Sequence, residues 1–518
     1  MPLRSRLAHP VITLVTAFLA ALALVPFTAT AARAATPVCL TGTFQFAYQS
    51  AEAAPSKPIR TKAVRVANVE LWGAEKSGDQ PHWLGVSQLT SDYGDYNLCY
   101  TPTTTATMST MWVKVWAESR RLWRVIDGMN NSYYTQQTQA LTNVAGGTYS
   151  LPTVRATGTA GRAWHALDTL YDLWRKRENP TSDCWTANEP NSSTCTRLNV
   201  YVNDGATSAG YSPHSHSIAL IGEAADSEHT ILHEGGHFLL HRLYNGVWPN
   251  VDNCIPHYIP TASSETCAWT EGFADATAAY VFNDFDYVHP DGTYTSFLYG
   301  PGWEVGDQVQ GNVAASLLRL WRGLENGWGP TLTAVAAQKP TTFPQYFNVT
   351  RPNANPPLST GTMALMFVTA SAIDYGPDIV GDGKTHGLSN GGRWGLERAG
   401  GCTATAPASV RVSHFGTAFN SSLWKIDTNT DGTVRVYDNC AQSLTLTAPT
   451  AADGAVTAKP FNPADAYQKW TVIRKNGTFR FINPQTGLVL TTTGIDKDSP
   501  AITKTPSSAN VQGWVRLS

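Results

Sequence analysis

His233-Glu234-Gly235-Gly236-His237 is the stretch that decides the reading of this chain. It has the form H-E-x-x-H, which on a helix sets two imidazoles one turn apart on a single face. His233 and His237 can then grip one divalent ion, with Glu234 beside whatever else the ion holds. That is the donor pattern of a zinc hydrolase together with its general base. Ile231, Leu232, Phe238 and Leu239 flank the motif with the apolar side chains of a buried helix. A hydrolytic zinc site also needs a third protein ligand and an open position for water, so the rest of the site must come from elsewhere in the chain.

The third ligand has a candidate in Trp269-Thr-Glu271-Gly-Phe-Ala-Asp275, with 33 residues between His237 and Glu271. The pairing of H-E-x-x-H with a later E-x-x-x-D resembles the gluzincins, the thermolysin-like zinc peptidases. The resemblance implies a central α+β zincin-like metallopeptidase domain and Zn2+ as cofactor. It implies His233, His237 and Glu271 as metal ligands, Glu234 as general base and proton shuttle, and Asp275 as the carboxylate that orients a ligating histidine. The spacing agrees, because a four-residue separation puts Glu271 and Asp275 on one helical face, one to reach an ion and the other an imidazole N–H. Glu265 is the other nearby carboxylate, set among Ser and Thr. In that family a tyrosine or histidine also supports the tetrahedral oxyanion; Tyr280, Tyr287, His289 and His386 are the candidates, and the role stays unassigned. The resemblance further implies that the strand before the motif helix, Ser217 to Ile221, offers its edge to an extended peptide.

The metzincin pattern does not fit. It requires a histidine six residues after the second motif histidine, and Leu243 stands there. His241 lies only four residues on. Three histidines at successive four-residue steps spread over roughly 12 Å of helix axis and cannot converge on one ion. His241 is therefore expected at the surface, partly exposed.

Around this centre the chain divides by period. Residues 38–127 read as β: Val64-Arg-Val66, Val69-Glu-Leu71 and Trp112-Val-Lys-Val-Trp116 alternate. Thr90-Ser-Asp92-Tyr-Gly94-Asp-Tyr96 resembles the turn-then-strand signature of prealbumin-like, carboxypeptidase-regulatory-type β-sandwiches. Residues 128–154, rich in Asn, Gln, Thr and Gly, read as a linker. In the 155–400 region Trp164, Leu167, Tyr171 and Trp174 recur at helical spacing, Leu198–Val202 and Ser217–Ile221 read as strands, and a helix is expected over 310–324. Strands leading into a motif helix fit an α+β hydrolase domain. Gly302–Val313 is expected to wall its cleft.

The tail, 403–518, returns to β character with an internal repeat. Gln468-Lys-Trp470 and Gln512-Gly-Trp514 are both Q-x-W, 44 residues apart, and Ser422-Leu-Trp424 lies 46 residues before the first. These repeats resemble the ricin-type β-trefoil lectins. Only two are complete, so either the first is eroded or the trefoil is incomplete. Thr445 follows Cys440-Ala-Gln-Ser-Leu444 where that family's sugar-binding aspartate is expected. This argues against galactoside binding and leaves carbohydrate binding of another kind open.

The start reads as a secretory signal peptide over 1–34: Arg4 and Arg6, an apolar run from Val11 to Phe27, then Ala32-Arg33-Ala34 before the cut. The eight cysteines all follow it, an even count that suggests disulfides in an exported, extracellular protein. Proximity suggests Cys39–Cys99, Cys184–Cys195, Cys254–Cys267 and Cys402–Cys440 without fixing them. No C-x-x-C occurs, so a cysteine-built zinc site is not expected. A formal net charge of -2 with 15% charged residues gives no reason to expect nucleic acid or a membrane surface as partner. The expected function is a secreted zinc endopeptidase acting on protein or glycoprotein, with an appended glycan-binding-like module. The rival readings are a non-catalytic zinc-binding adhesin and a zinc hydrolase of a non-peptide amide or ester.

Overall fold

The computed structural model describes residues 36–517 apart from 180, 190–194, 204–208, 299–302, 380, 392–393, 415–418, 442 and 508. The expected signal peptide lies outside the described residues. The protein is multidomain and β-rich. Among the described residues no helix is long and apolar enough to cross a membrane. Four disulfides form, Cys39–Cys99, Cys184–Cys195, Cys254–Cys267 and Cys402–Cys440, the pairing that proximity suggested.

The long strand β1, Val38–Gln49, organises the N-terminal region. Its buried side chains, among them Leu40, Phe44, Phe46 and Tyr48, face the core. Its first half pairs antiparallel with Asp95–Tyr100 and its second with Ile59–Ala63. A second sheet is built on Thr107–Trp116, paired with Asn68–Ala74. Its alternation buries Met111, Val113 and Val115, as the period-2 pattern predicts.

The structure departs from the expected boundaries. Residues 128–154 are not a linker: Thr135–Gln137 and Leu141–Ala145 pair with Thr107–Trp116, and Gly147–Ser150 pairs parallel with β1. These strands bury few side chains, so no hydrophobic alternation marks them. Nor does the β region end at 127. Strand β2, Trp123–Asp127, pairs parallel with β3, Leu198–Val202. The sheet continues through β5, Ser217–Leu220, to β4, Gly210–Ser212, which pairs antiparallel with β5. The strand expected to offer its edge is thus covered, and β4 holds that edge.

Helix α1, Gly158–Lys176, lies on β1 and beneath this mixed sheet. A Cβ at Gly161 would sit 2.0 Å from the Ala47 carbonyl oxygen, so only glycine permits the contact. Trp123 Nε1 donates to the Leu167 carbonyl at 3.0 Å. One continuous hydrophobic core runs from Val38 to Ile373, joining what the sequence separates into sandwich, linker and hydrolase domain. Helices α2, Glu228–Leu243, α3, Glu265–Phe282, and α4, Gln310–Gly323, pack side by side within it.

A second core begins at Ile379. It is built from three lobes. Trp424, Trp470 and Trp514 are fully buried, and their Nε1 atoms donate to the carbonyls of Leu396, Leu446 and Leu490 at 2.8, 3.1 and 3.1 Å. Each tryptophan also pairs with the opening strand of its lobe, at His386, Val434 and Phe479. The first lobe is therefore present. It starts with strands Thr385–Ser389 and Trp394–Arg398, ahead of the expected boundary at 403. In the second and third lobes Gln468 and Gln512 accept from the amides of Asn462 and Ser507. In the first, Ser422 Oγ donates to the Phe419 carbonyl instead, at 2.9 Å.

Candidate metal centre

The motif helix is set by its neighbours. Ser227 caps α2, accepting from the Thr230 amide, and Ser264 caps α3, accepting from the Cys267 amide. Both variable positions of the motif are glycine for steric reasons. A Cβ at Gly236 would lie 2.9 Å from Ala274 Cα on α3, and one at Gly235 would lie 2.8 Å from Leu173 Cδ2 on α1. The close approach at Gly236 brings α3 near enough for Glu271 to reach the two histidines.

The resulting geometry is a triangle. His233 Nε2 and His237 Nε2 are 3.1 Å apart, and each is 3.2 Å from Glu271 Oε2. Donors about 2.0–2.1 Å from a tetrahedral ion stand roughly 3.3 Å from one another, so these three atoms fit one face of such a polyhedron. The three residues form a candidate metal-binding group. Glu271 Oε2 is buried without a hydrogen-bond donor, which is the condition of a ligand atom turned to a cation. Burial raises the Glu271 carboxyl, but the neighbouring imidazoles of His237 and His233 draw it well below the usual carboxylate range.

His233 Nδ1 lies 2.7 Å from Asp275 Oδ1. A carboxylate only accepts, so Nδ1 carries the proton and Nε2 keeps its lone pair for the triangle. Asp275 is 1% exposed, and its Oδ2 accepts from Gln310 Nε2 at 3.0 Å. Glu234 lines the same cavity, 6% exposed. Burial pushes its carboxyl above the ordinary value against the pull of His233 and His237, which suits a proton acceptor.

The cavity holds about 980 Å³ and is walled by Tyr211 on β4, Trp248, Val251 and Tyr258 as well as the donor residues. Of the suggested oxyanion donors, Tyr287 and His289 line it. The Tyr287 hydroxyl is engaged with Thr230 Oγ1 at 3.4 Å, and His289 Nε2 lies 3.0 Å from Thr295 Oγ1. Tyr280 stacks on Trp328 and His386 pairs with Asp382 in the C-terminal lobes, so neither enters the site. Glu265 opens α3 and does not join the donor group. Gln310 lines the cavity as the expected wall segment requires, while Gly302 lies outside the described residues.

His241 is not at the surface. It is 2% exposed, with Nδ1 2.7 Å from the Tyr211 hydroxyl, and burial drives its pKa down to about 4. Tyr211 comes from 30 residues upstream, a contact that helical spacing alone does not reveal. The sequence reading also missed His257, which lines the cavity with its Nδ1 3.0 Å from Gln310 Oε1. The closeness of Cys254 and Cys267 was the available signal, since their bridge ties the loop carrying His257 to α3.

A carboxylate and two imidazoles turned to one point, beside a buried glutamate, are the equipment of a metal-dependent hydrolase, and the chain is related to a metallopeptidase family. Residues 39–163 match the model of the Mycolysin middle domain, and residues 169–372 match that of the Mycolysin C-terminal domain. The break between the two falls inside α1, and the second match ends one residue before Ile373, the last residue of the first core. No curated protein matches. Among solved structures, the designed threefold-symmetric protein ThreeFoil is 14% identical over 26% of this chain and 98% of its own, with a TM-score of 0.24. The Rhizoctonia solani agglutinin is 12% identical over 26% and 94%, TM-score 0.23. The earthworm R-type lectin C-half, in complex with GalNAc, is 14% identical over 26% and 97%, TM-score 0.20.

Proposed function

We propose that this protein is a secreted zinc endopeptidase whose zincin-like α+β centre binds the metal through His233, His237 and Glu271. The observation that carries the reading is the triangle of donor atoms with the buried Glu234 lining the same cavity. Two imidazoles and one carboxylate suit zinc. When bound, Zn2+ supplies Lewis acidity and lowers the pKa of water towards neutrality. Asp275 holds His233 in the tautomer that presents Nε2. Glu234 takes a proton from the attacking water and returns it to the leaving amine. The three C-terminal lobes form a ricin-type β-trefoil that binds carbohydrate on a glycoprotein substrate, with Thr445 arguing against a galactoside. The four disulfides agree with an extracellular location.

The test is zinc content and casein hydrolysis of the exported protein and two variants. One zinc is expected in the parent and in Glu234→Ala, with hydrolysis lost only in the variant. Glu271→Ala is expected to lose the metal. If Glu234→Ala digests casein at the parent rate, the reading fails.

A further inference from the structure

Three consecutive hydrogen bonds lead out of the donor triangle, and their directions are forced. His233 Nδ1–H gives to Asp275 Oδ1 at 2.7 Å, and Asp275 Oδ2 takes from Gln310 Nε2 at 3.0 Å. Because a carboxylate accepts only, the Gln310 amide must turn its nitrogen to Asp275 and its oxygen away. That oxygen lies 3.0 Å from His257 Nδ1. It also only accepts, so His257 carries its proton on Nδ1, and in the neutral ring Nε2 is an acceptor. Gln310 is 3% exposed and stands at the start of α4, so its orientation is set by packing as well as by Asp275. The side chain of His257 is 36% exposed and lines the cavity. Cys254 and Cys267 anchor its loop. Among the described residues nothing hydrogen-bonds to its Nε2.

We infer that His257 contacts the substrate directly, accepting a hydrogen bond at Nε2 from a peptide N–H, and that Gln310 is the residue that positions it for this. A group fixed as an acceptor, in a cavity it shares with the Glu234 and Glu271 carboxylates, selects for a backbone donor. Gln310 thereby couples the orientation of a metal-ligating imidazole to that of a substrate-binding one. The inference rests on the peptidase reading above.

The test uses the full-length, zinc-loaded Glu234→Ala protein as a non-cutting background. The probe is an octapeptide of casein that the parent cleaves, with a set of analogues in which one backbone amide at a time becomes an ester. Calorimetry gives the dissociation constants. One ester position is expected to weaken binding about 3- to 10-fold in the background, the weight of one hydrogen bond. At that position the loss is expected to fall below about 2-fold when His257→Ala or Gln310→Met is added, the signature of a coupled pair. If His257→Ala leaves the loss at every position unchanged, the inference is wrong. If His257→Ala removes it but Gln310→Met does not, the role of Gln310 is wrong. His257 sits on a tethered loop, so its variant keeps the test open even if Gln310→Met disturbs α4. Failure of the parent protein to cut any casein peptide sinks the peptidase reading instead, a different result from cleavage without coupling.

Discussion

The central helices meet the N-terminal region and the C-terminal lobes through joints of opposite character. On the N-terminal side β1 and β2 share one core with α1, and β2 shares a sheet with β3. There the start of α2 is clamped by charge. Glu228, 6% exposed, receives Lys62, Tyr48 and His165 Nε2, and Glu52 accepts from the His229 amide. Carboxylates at a helix N-terminus also suit its dipole. On the C-terminal side two separate cores meet across a mixed seam, where a small apolar cluster of Val305, Ala372 and Val515 sits beside polar contacts. Arg516 makes a bidentate pair with Asp374, Arg474 reaches the carbonyls of Asp374 and Gly376, and the Asn476–Gly477 turn packs on Asp307. Gly477 has φ +64°, and a Cβ there would lie 2.7 Å from Ile373 Cγ2, so the turn needs glycine twice over. A shared core makes one folding unit, whereas a small mixed seam between separate cores joins two.

Deletion gives the largest test of this contrast. A chain ending at 377 is expected to melt cooperatively and, on the proposed reading, to bind zinc, and a chain beginning at 158 is expected to do neither. Circular dichroism melting and metal analysis read both. A cooperative, zinc-binding fragment from 158 onward would show that the N-terminal region is dispensable. Next comes Lys62→Met, which strips a charge partner from a buried carboxylate. The expected loss is about 2–3 kcal/mol of stability, below the 3–5 typical of fully buried pairs because Lys62 is partly exposed. Denaturant unfolding measures it, and zinc affinity is expected to fall with it.

The smallest effect is one of pH, and its sign differs between the joints. Burial alone would raise Glu228, but the hydrogen bond and charge of His165, with the charge of Lys62, bring it down to about 2. A depressed carboxyl stabilises above its unfolded value, so this joint weakens as pH falls from about 4 towards 2. Asp307 is the reverse. Burial pushes it up to about 7, against the Tyr375 hydroxyl that donates to it at 2.6 Å. Its contribution is present below about pH 4 and is lost as pH rises towards 7. Asp307→Asn is expected to flatten the stability profile between pH 4 and 7, by on the order of 1–2 kcal/mol. An unchanged slope in the variant would remove Asp307 from the account.

The donor residues were legible because their chemistry is local to two helices. Four-residue spacing delivered His233, His237, Glu271 and Asp275 to their faces, and periodicity placed α4 within a residue of its observed end. The joints were not legible. Thr135–Gln137 and Gly147–Ser150 are polar edge strands held by main-chain bonds, which leave no pattern in side-chain hydrophobicity. The first C-terminal lobe was left open, eroded or missing, because Ser422 stands where the other two carry glutamine. Gln310 and His257 are 53 residues apart and meet only through Asp275 and a disulfide-tied loop. No short-range rule predicts such a meeting.

The seam at Asp374 and Arg516 has one more consequence. Residues 374–378 alone separate the last residue of one core from the first of the other, and the ion pair pins them. A long flexible leash would let a captured molecule sample many points of cleavage around its anchor. With this short, fastened hinge the grip and the blade keep one offset, as the jaws of a caliper do. On the function proposed above, whatever the three lobes hold would be presented at a set distance, and bonds nearer to the anchor than that distance would be spared.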